Sequence, residues 1–227
     1  MSAAEAGVES TTQTEVREPS GAAVEVILIQ GAGAGAHEAD ALLAASLAEH
    51  LGDGFTVDFP LMPDEDEPDD DRWSAAIGAA IDTAAIDTAA IDTAAIDTAA
   101  IDPAASPAVL VGHSAGGYLL LKHLAKHPPT QSIAALCIIA APFPGADPAW
   151  TFDDFELPDD LAERLPAGVP VLLYASEDDA IVPFAHLDHY ARAIPGAIVR
   201  TVTGGHQLGN DLRVVAEDIR AVVVGPA

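Results

Sequence analysis

Ser114 sits where a serine can act as a nucleophile. An apolar run, Val109-Leu110-Val111, enters Gly112-His113-Ser114-Ala115-Gly116-Gly117 and continues as Tyr118-Leu119-Leu120-Leu121. The pattern is strand, tight turn, helix, with the hydroxyl at the apex of a G-x-S-x-G turn. Small residues on either side let strand and helix approach closely. The N-terminus of the following helix offers backbone N–H groups and partial positive charge to an oxyanion. A serine nucleophile also needs an imidazole to take its proton and a carboxylate to orient that imidazole. Two later segments supply these groups. Residues 176–183, Ser-Glu-Asp-Asp-Ala-Ile-Val-Pro, follow one strand-like run, and residues 203–207, Thr-Gly-Gly-His-Gln, follow another. Asp178, Asp179 and His206 are thus the candidate partners, in the chain order Ser, Asp, His.

The elements that would carry these groups alternate along the chain. Apolar strand-like runs occur at 24–29, 55–59, 108–113, 133–140, 169–174 and 197–202. Helical segments are expected at 37–51, from Leu42, Leu43, Leu47 and Leu51 at helical spacing, and at 114–127, 185–194 and 211–223. A short helix is expected near 159–165. Six strands alternating with helices imply an α/β domain whose mostly parallel sheet is covered on both faces. In such a sheet, functional loops follow the carboxyl ends of strands, where Ser114, the aspartates and His206 fall.

Three segments stand apart. Residues 1–22 have no apolar period and read as a disordered acidic tail ahead of a single domain at 23–227. Residues 61–71 form a proline-punctuated acidic loop. Ile-Asp-Thr-Ala-Ala then occurs four times without a mismatch from Ile81 to Ala100. A period of five advances each isoleucine by about 140° around a helix, so the repeats build no single apolar stripe. They read as a helical expansion, about 76–102, without chemistry of its own.

Composition narrows the function classes. The 227 residues carry 36 acidic against 9 basic side chains, a formal net charge of −27, and only two lysines, Lys122 and Lys126. Such a charge repels phosphate, so neither a nucleic acid nor an anionic membrane is an expected partner. An acidic, lysine-poor surface on a half-apolar chain suits a salt-adapted cytoplasm. No apolar run approaches a membrane span, and no basic-then-apolar leader is visible. The single cysteine, Cys137, lies in an apolar run and reads as a small buried hydrophobe.

With these motifs in place, the chain from about 24 to 223 resembles the α/β-hydrolase superfamily. Residues 30–36, 59–63, 112–117, 141–143, 179–184 and 205–207 are also similar to compact bacterial hydrolases close to the retinoblastoma-binding-protein-type serine hydrolases. The resemblance implies an α/β-hydrolase fold of six strands without a full cap domain. It implies a serine hydrolase that cleaves a small or medium carboxylic ester, or a related acyl compound such as a thioester, amide or lactone, with a small-molecule acyl substrate and no metal or cofactor. Ser114 would be the nucleophile and His206 the base. The superfamily pattern D-x-x-V-P selects Asp179 over Asp178 as the acid. The oxyanion donors would be the N–H groups of Ala115 and Ala32, although Gln30-Gly31 stands where the family often has His-Gly. His37, Phe143 and Trp150 are candidate substrate contacts. His113 reads as packing or as support behind the nucleophile, and His186 and His189, three apart on a helix, as solvated or capping residues.

Two other function classes compete. Residues 31–36 fit G-x-G-x-x-A between a strand and a helix, with Asp58 ending the next strand, as in a Rossmann-type nucleotide-binding oxidoreductase. A non-catalytic binding module on a hydrolase scaffold is the other.

Overall fold

A computed structural model describes residues 23–89, 107–146, 148–150 and 156–225. Six strands, β1 (Val24–Ile29), β2 (Phe55–Asp58), β3 (Ala108–His113), β4 (Ile133–Ile139), β5 (Val171–Ser176) and β6 (Ile198–Val202), form one sheet. Their order is β2-β1-β3-β4-β5-β6, and every pairing is parallel. The helices are α1 (Ala36–Leu51), α2 (Asp70–Ala89), α3 (Ala115–Lys126), α4 (Leu161–Arg164), α5 (Ala185–Ala193) and α6 (Arg213–Val223).

The strands are apolar on both sides because both faces are covered. Alternate residues feed two cores. Ile27, Leu110, Leu136 and Leu173 pack with Trp73 and Ile77 of α2, Leu120 of α3 and Tyr190 of α5. Val26, Val109, Cys137 and Leu172 pack on the opposite face with Leu43 and Leu47 of α1 and Val215 and Ile219 of α6. Each fully buried Leu, Ile or Val contributes roughly 1.5–3 kcal/mol. Cys137 is fully buried and free, as its apolar setting suggests.

One expectation needs correction. Leu42 is 55% exposed, and the buried stripe of α1 is Asp40, Leu43, Ala44, Leu47 and Leu51. A carboxylate therefore sits in the stripe where the leucine spacing suggested only apolar residues. The start of the repeat segment belongs to the core. Ile81, the first repeat isoleucine, is 3% exposed in the core, and its carbonyl accepts the side-chain amide of Gln131 at 2.8 Å. The repeat residues past Ala89 and the tail at 1–22 lie outside the described residues.

β1 pairs with β2 on one side and β3 on the other. The chain leaves β1 and β3 toward opposite edges, so the loops at their carboxyl ends part and open a crevice.

Candidate active site

The turn after β3 is forced by its residues. Ser114 has φ 52° and ψ −128°, a conformation that stores roughly 1–3 kcal/mol in a non-glycine residue. Its N–H donates to the carbonyl of Ile139 at 2.8 Å, pinning the apex to the neighbouring strand. A Cβ on Gly112 would lie 2.5 Å from Gly117 Cα, and one on Gly116 would lie 2.0 Å from the carbonyl oxygen of Gln30. The flanking glycines thus let the strand–turn–helix close against the loop after β1.

Three of the expected residues meet here. His206 Nε2 lies 3.0 Å from Ser114 Oγ, and His206 Nδ1 lies 2.8 Å from Asp179 Oδ2. The other oxygen of Asp179 accepts the N–H groups of Ile181 and Val182 at 2.8 and 2.9 Å. The Asp179 side chain is 2% exposed and that of His206 15%. Burial, and then the nearby His113, lower the pKa of His206 below the ordinary imidazole value, against the opposing pull of Asp179 and Asp40. A neutral imidazole facing a hydroxyl can take its proton.

Asp178 has a different task. Its Oδ1 accepts the hydroxyl of buried Ser176 and the N–H groups of Gly204 and Gly205, at 3.3 and 3.1 Å for the two amides. The hydrogen bond from Ser176, with the Gly205 amide next, lowers its pKa. Asp178 therefore holds the loop that carries His206, and Asp179 holds the imidazole.

The loop after β1 is held almost entirely by side chains. Gly31 N–H donates to Asp40 Oδ2 at 2.7 Å, and Gly33 N–H to the carbonyl of Glu65 at 2.6 Å. The Glu65 carboxylate accepts the N–H groups of Gly35 and His37 at 2.8 and 2.7 Å, and the amide of fully buried Gln30 at 2.9 Å. These amides would have to cradle the phosphates of a dinucleotide. The carboxylates of Asp40 and Glu65 and the backbone carbonyl of Glu65 already fill them, which removes the structural basis for a nucleotide-binding oxidoreductase. Ala32 N–H, by contrast, has no acceptor among the described residues. Ala32 and Ala115 line the same cavity as Ser114 and His206, where an oxyanion would form.

That cavity has a volume of about 630 Å³. Tyr118, Pro142, Pro144, Trp150 and Ile181 supply apolar wall, and Glu67 and Asp69 supply its acidic rim. Asp70, the first residue of α2, binds both lysines of the chain, Lys122 at 2.9 Å and Lys126 at 3.1 Å, anchoring the rim.

Of the candidate substrate contacts, only Trp150 lines the cavity. His37 is turned away from it. Its ring stacks on Phe59 at 4.4 Å, and its Nδ1 lies 2.6 Å from Gln30 Oε1. Phe143 packs edge-on against Tyr190 behind the wall. Its N–H donates to Nδ1 of His186 at 2.7 Å, so that histidine is neither solvated nor capping; it is buried and braces the wall. Among the described residues, no group of three or more His, Cys, Asp or Glu is placed to hold a metal, and no helix is long and apolar enough to cross a membrane.

Residues 93–211, just over half of the chain, match the serine hydrolase family, and the chain belongs to it. The protein is a serine hydrolase with the α/β-hydrolase fold, and the described residues include no extra cap domain. Among solved structures it is similar to an α/β-superfamily hydrolase from Xanthomonas campestris, at 24% identity over 88% of this chain and 98% of that one, with a TM-score of 0.50. A structure of the metagenome-derived lipolytic enzymes LipS and LipT matches at 16% identity over 90% and 95%, with a TM-score of 0.61. Est1E from Butyrivibrio proteoclasticus, solved with ferulic acid bound, matches at 16% identity over 89% of each chain, with a TM-score of 0.58. At these identities the likeness is one of fold. No curated protein matches the chain.

Sequence patterns pointed to Ser114, His206 and Asp179. They did not single out Asp40, Glu65 or Gln207, which tie the loops together. The readable signal for Asp40 was its place on the buried stripe of α1, three residues before Leu43.

Proposed function

We propose that the protein hydrolyses small or medium carboxylic esters through an acyl-enzyme on Ser114. Ser114 Oγ attacks the acyl carbon while His206 Nε2 takes its proton. The N–H groups of Ala115 and Ala32 receive the developing oxyanion. His206 returns the proton to the leaving alkoxide, and a water activated by the same imidazole then releases the acid. Asp179 holds the ring and offsets the imidazolium charge. The observation that carries this proposal is the unbroken chain Ser114 Oγ, His206, Asp179, at 3.0 and 2.8 Å. The cavity of about 630 Å³ with apolar walls fits a substrate of that size. The lipolytic and Est1E structures are relatives whose descriptions agree with ester chemistry.

A fluorophosphonate probe tests the assignment directly. Wild-type protein should be labelled, and Ser114→Ala should not. Labelling that survives the substitution, or a wild type that is never labelled, contradicts it; the second result would favour a binding module.

The chain's loop signatures further support kinship with the compact retinoblastoma-binding-protein-type hydrolases. Its charge of −27 supports a protein adapted to a concentrated-salt cytoplasm. In a refolding series, stability should rise as KCl increases from dilute to molar, because screening relieves self-repulsion. A fall over that range contradicts salt adaptation.

A further inference from the structure

Beneath Ser114 and His206 lies a second aspartate–histidine pair to which the acyl-transfer steps assign no role. Asp40 and His113 are each 1% exposed, with His113 Nδ1 2.8 Å from Asp40 Oδ2. The same Oδ2 accepts Gly31 N–H at 2.7 Å, and Oδ1 accepts the side-chain amide of Gln207 at 3.0 Å. His113 Nε2 lies 3.0 Å from the backbone oxygen of His206. One carboxylate therefore reaches the loop before Ala32, the residue before Ser114, and the residue after His206.

We propose that Asp40 and His113 are positioning residues, a buried ion pair that fixes the oxyanion loop and the loop of His206 relative to the nucleophile. The proposal rests on the acyl-transfer assignment above.

Hydrogen-bond chemistry, together with an ionised Asp40, sets the protonation of the pair. A carbonyl oxygen only accepts, and a carboxylate oxygen only accepts. Both ring nitrogens of His113 face such oxygens. A neutral imidazole has one N–H, which would leave a nitrogen lone pair against an oxygen lone pair. Both contacts are satisfied when His113 is an imidazolium and Asp40 a carboxylate. Burial works against a charged Asp40, but the hydrogen bond and charge of His113, with Gly31 N–H and Gln207, hold its pKa below the ordinary carboxylate value.

The pair also acts on the base. The rings of His113 and His206 are 4.8 Å apart between centroids. A fixed positive charge there opposes protonation of His206, in the same direction as burial. The other charged groups facing His206 are Asp179 beside its ring and Asp40 beyond His113. Asp178 lies on its loop amides, and Glu67 and Asp69 across the cavity. All of these are negative, so His113 is the one positive neighbour among them.

Hydrolysis of p-nitrophenyl acetate across the histidine titration range, in wild type, His113→Gln, Asp40→Asn and the double variant, tests the proposal. In His113→Gln the acid limb of kcat/KM should move to higher pH by about half a unit or more, and kcat should fall roughly tenfold. Because the two residues act as one unit, the double variant should lose little beyond the worse single variant. An acid limb that stays or moves down, or losses that simply multiply, overturns the proposal while leaving the Ser114 assignment intact. A wild type that neither turns over nor takes a fluorophosphonate overturns both. A measurement that needs no variant to fold is nitrogen-15 NMR of histidine-labelled wild type at neutral pH. Both ring nitrogens of His113 should be protonated, and an unprotonated one contradicts the ion pair.

Discussion

Two adjacent carboxylates, Asp178 and Asp179, differ by one position and face different work. Asp179 meets the imidazole, and Asp178 meets the backbone of the loop carrying it. Asp179→Asn keeps the shape but favours the wrong imidazole tautomer, which lowers kcat on the order of a thousand- to ten-thousandfold in comparable triads. Asp178→Asn retains an oxygen for the glycine amides and should lower kcat only about tenfold. Steady-state kinetics on both variants check the ranking, and a reversal moves the acid to Asp178. The sequence could nominate Ser114 and His206 because their surroundings are local: a glycine-flanked turn and a loop after a strand. Asp40 was not legible in that way. Its partners Gly31, His113 and Gln207 come from three separate parts of the chain, and only the folded sheet brings them to one carboxylate.

The secondary elements were readable to within a few residues, since parallel strands buried on both faces are short apolar runs and the helices carry a stripe. α2 was the hardest. Its repeats obscure the stripe, and its start is set by a local cap, Asp69 accepting Arg72 N–H at 2.9 Å, together with the tertiary contact of the two lysines with Asp70. Where α2 meets α3, buried His123 lies 2.8 Å from Ser74 Oγ. Burial, and then the charge of His127, lower its pKa to about 4, whereas an unfolded histidine titrates near 6.5. Between those values the unfolded chain binds a proton that the folded chain refuses. The stabilising contribution is therefore complete above about pH 6.5 and lost as pH falls toward about 4. Urea midpoints should fall over that window in wild type and fall less in His123→Gln. Parallel losses in both proteins contradict this origin of acid sensitivity.

Across the molecule, the sheet places every group of the candidate site at one end. The loops after β1 and β3 carry Ala32 and Ser114, and the loops after β5 and β6 carry Asp179 and His206. The strand order was not written in any single segment, yet alternation of strands and helices was enough to bring these loops together. The cavity wall was the least legible part. Residues between β4 and β5 have no hydrophobic period, because Pro142, Pro144 and Trp150 face the cavity while Phe143 turns to the core. The mechanism turns on a covalent acyl group on one serine. Rapid quenching of the protein with p-nitrophenyl acetate, followed by peptide mass spectrometry, measures it. An acetyl group should appear on the peptide holding Ser114, approaching one per chain during the nitrophenolate burst, and should vanish in Ser114→Ala. Turnover with no adduct, or an adduct that persists on another residue in that variant, would contradict the mechanism.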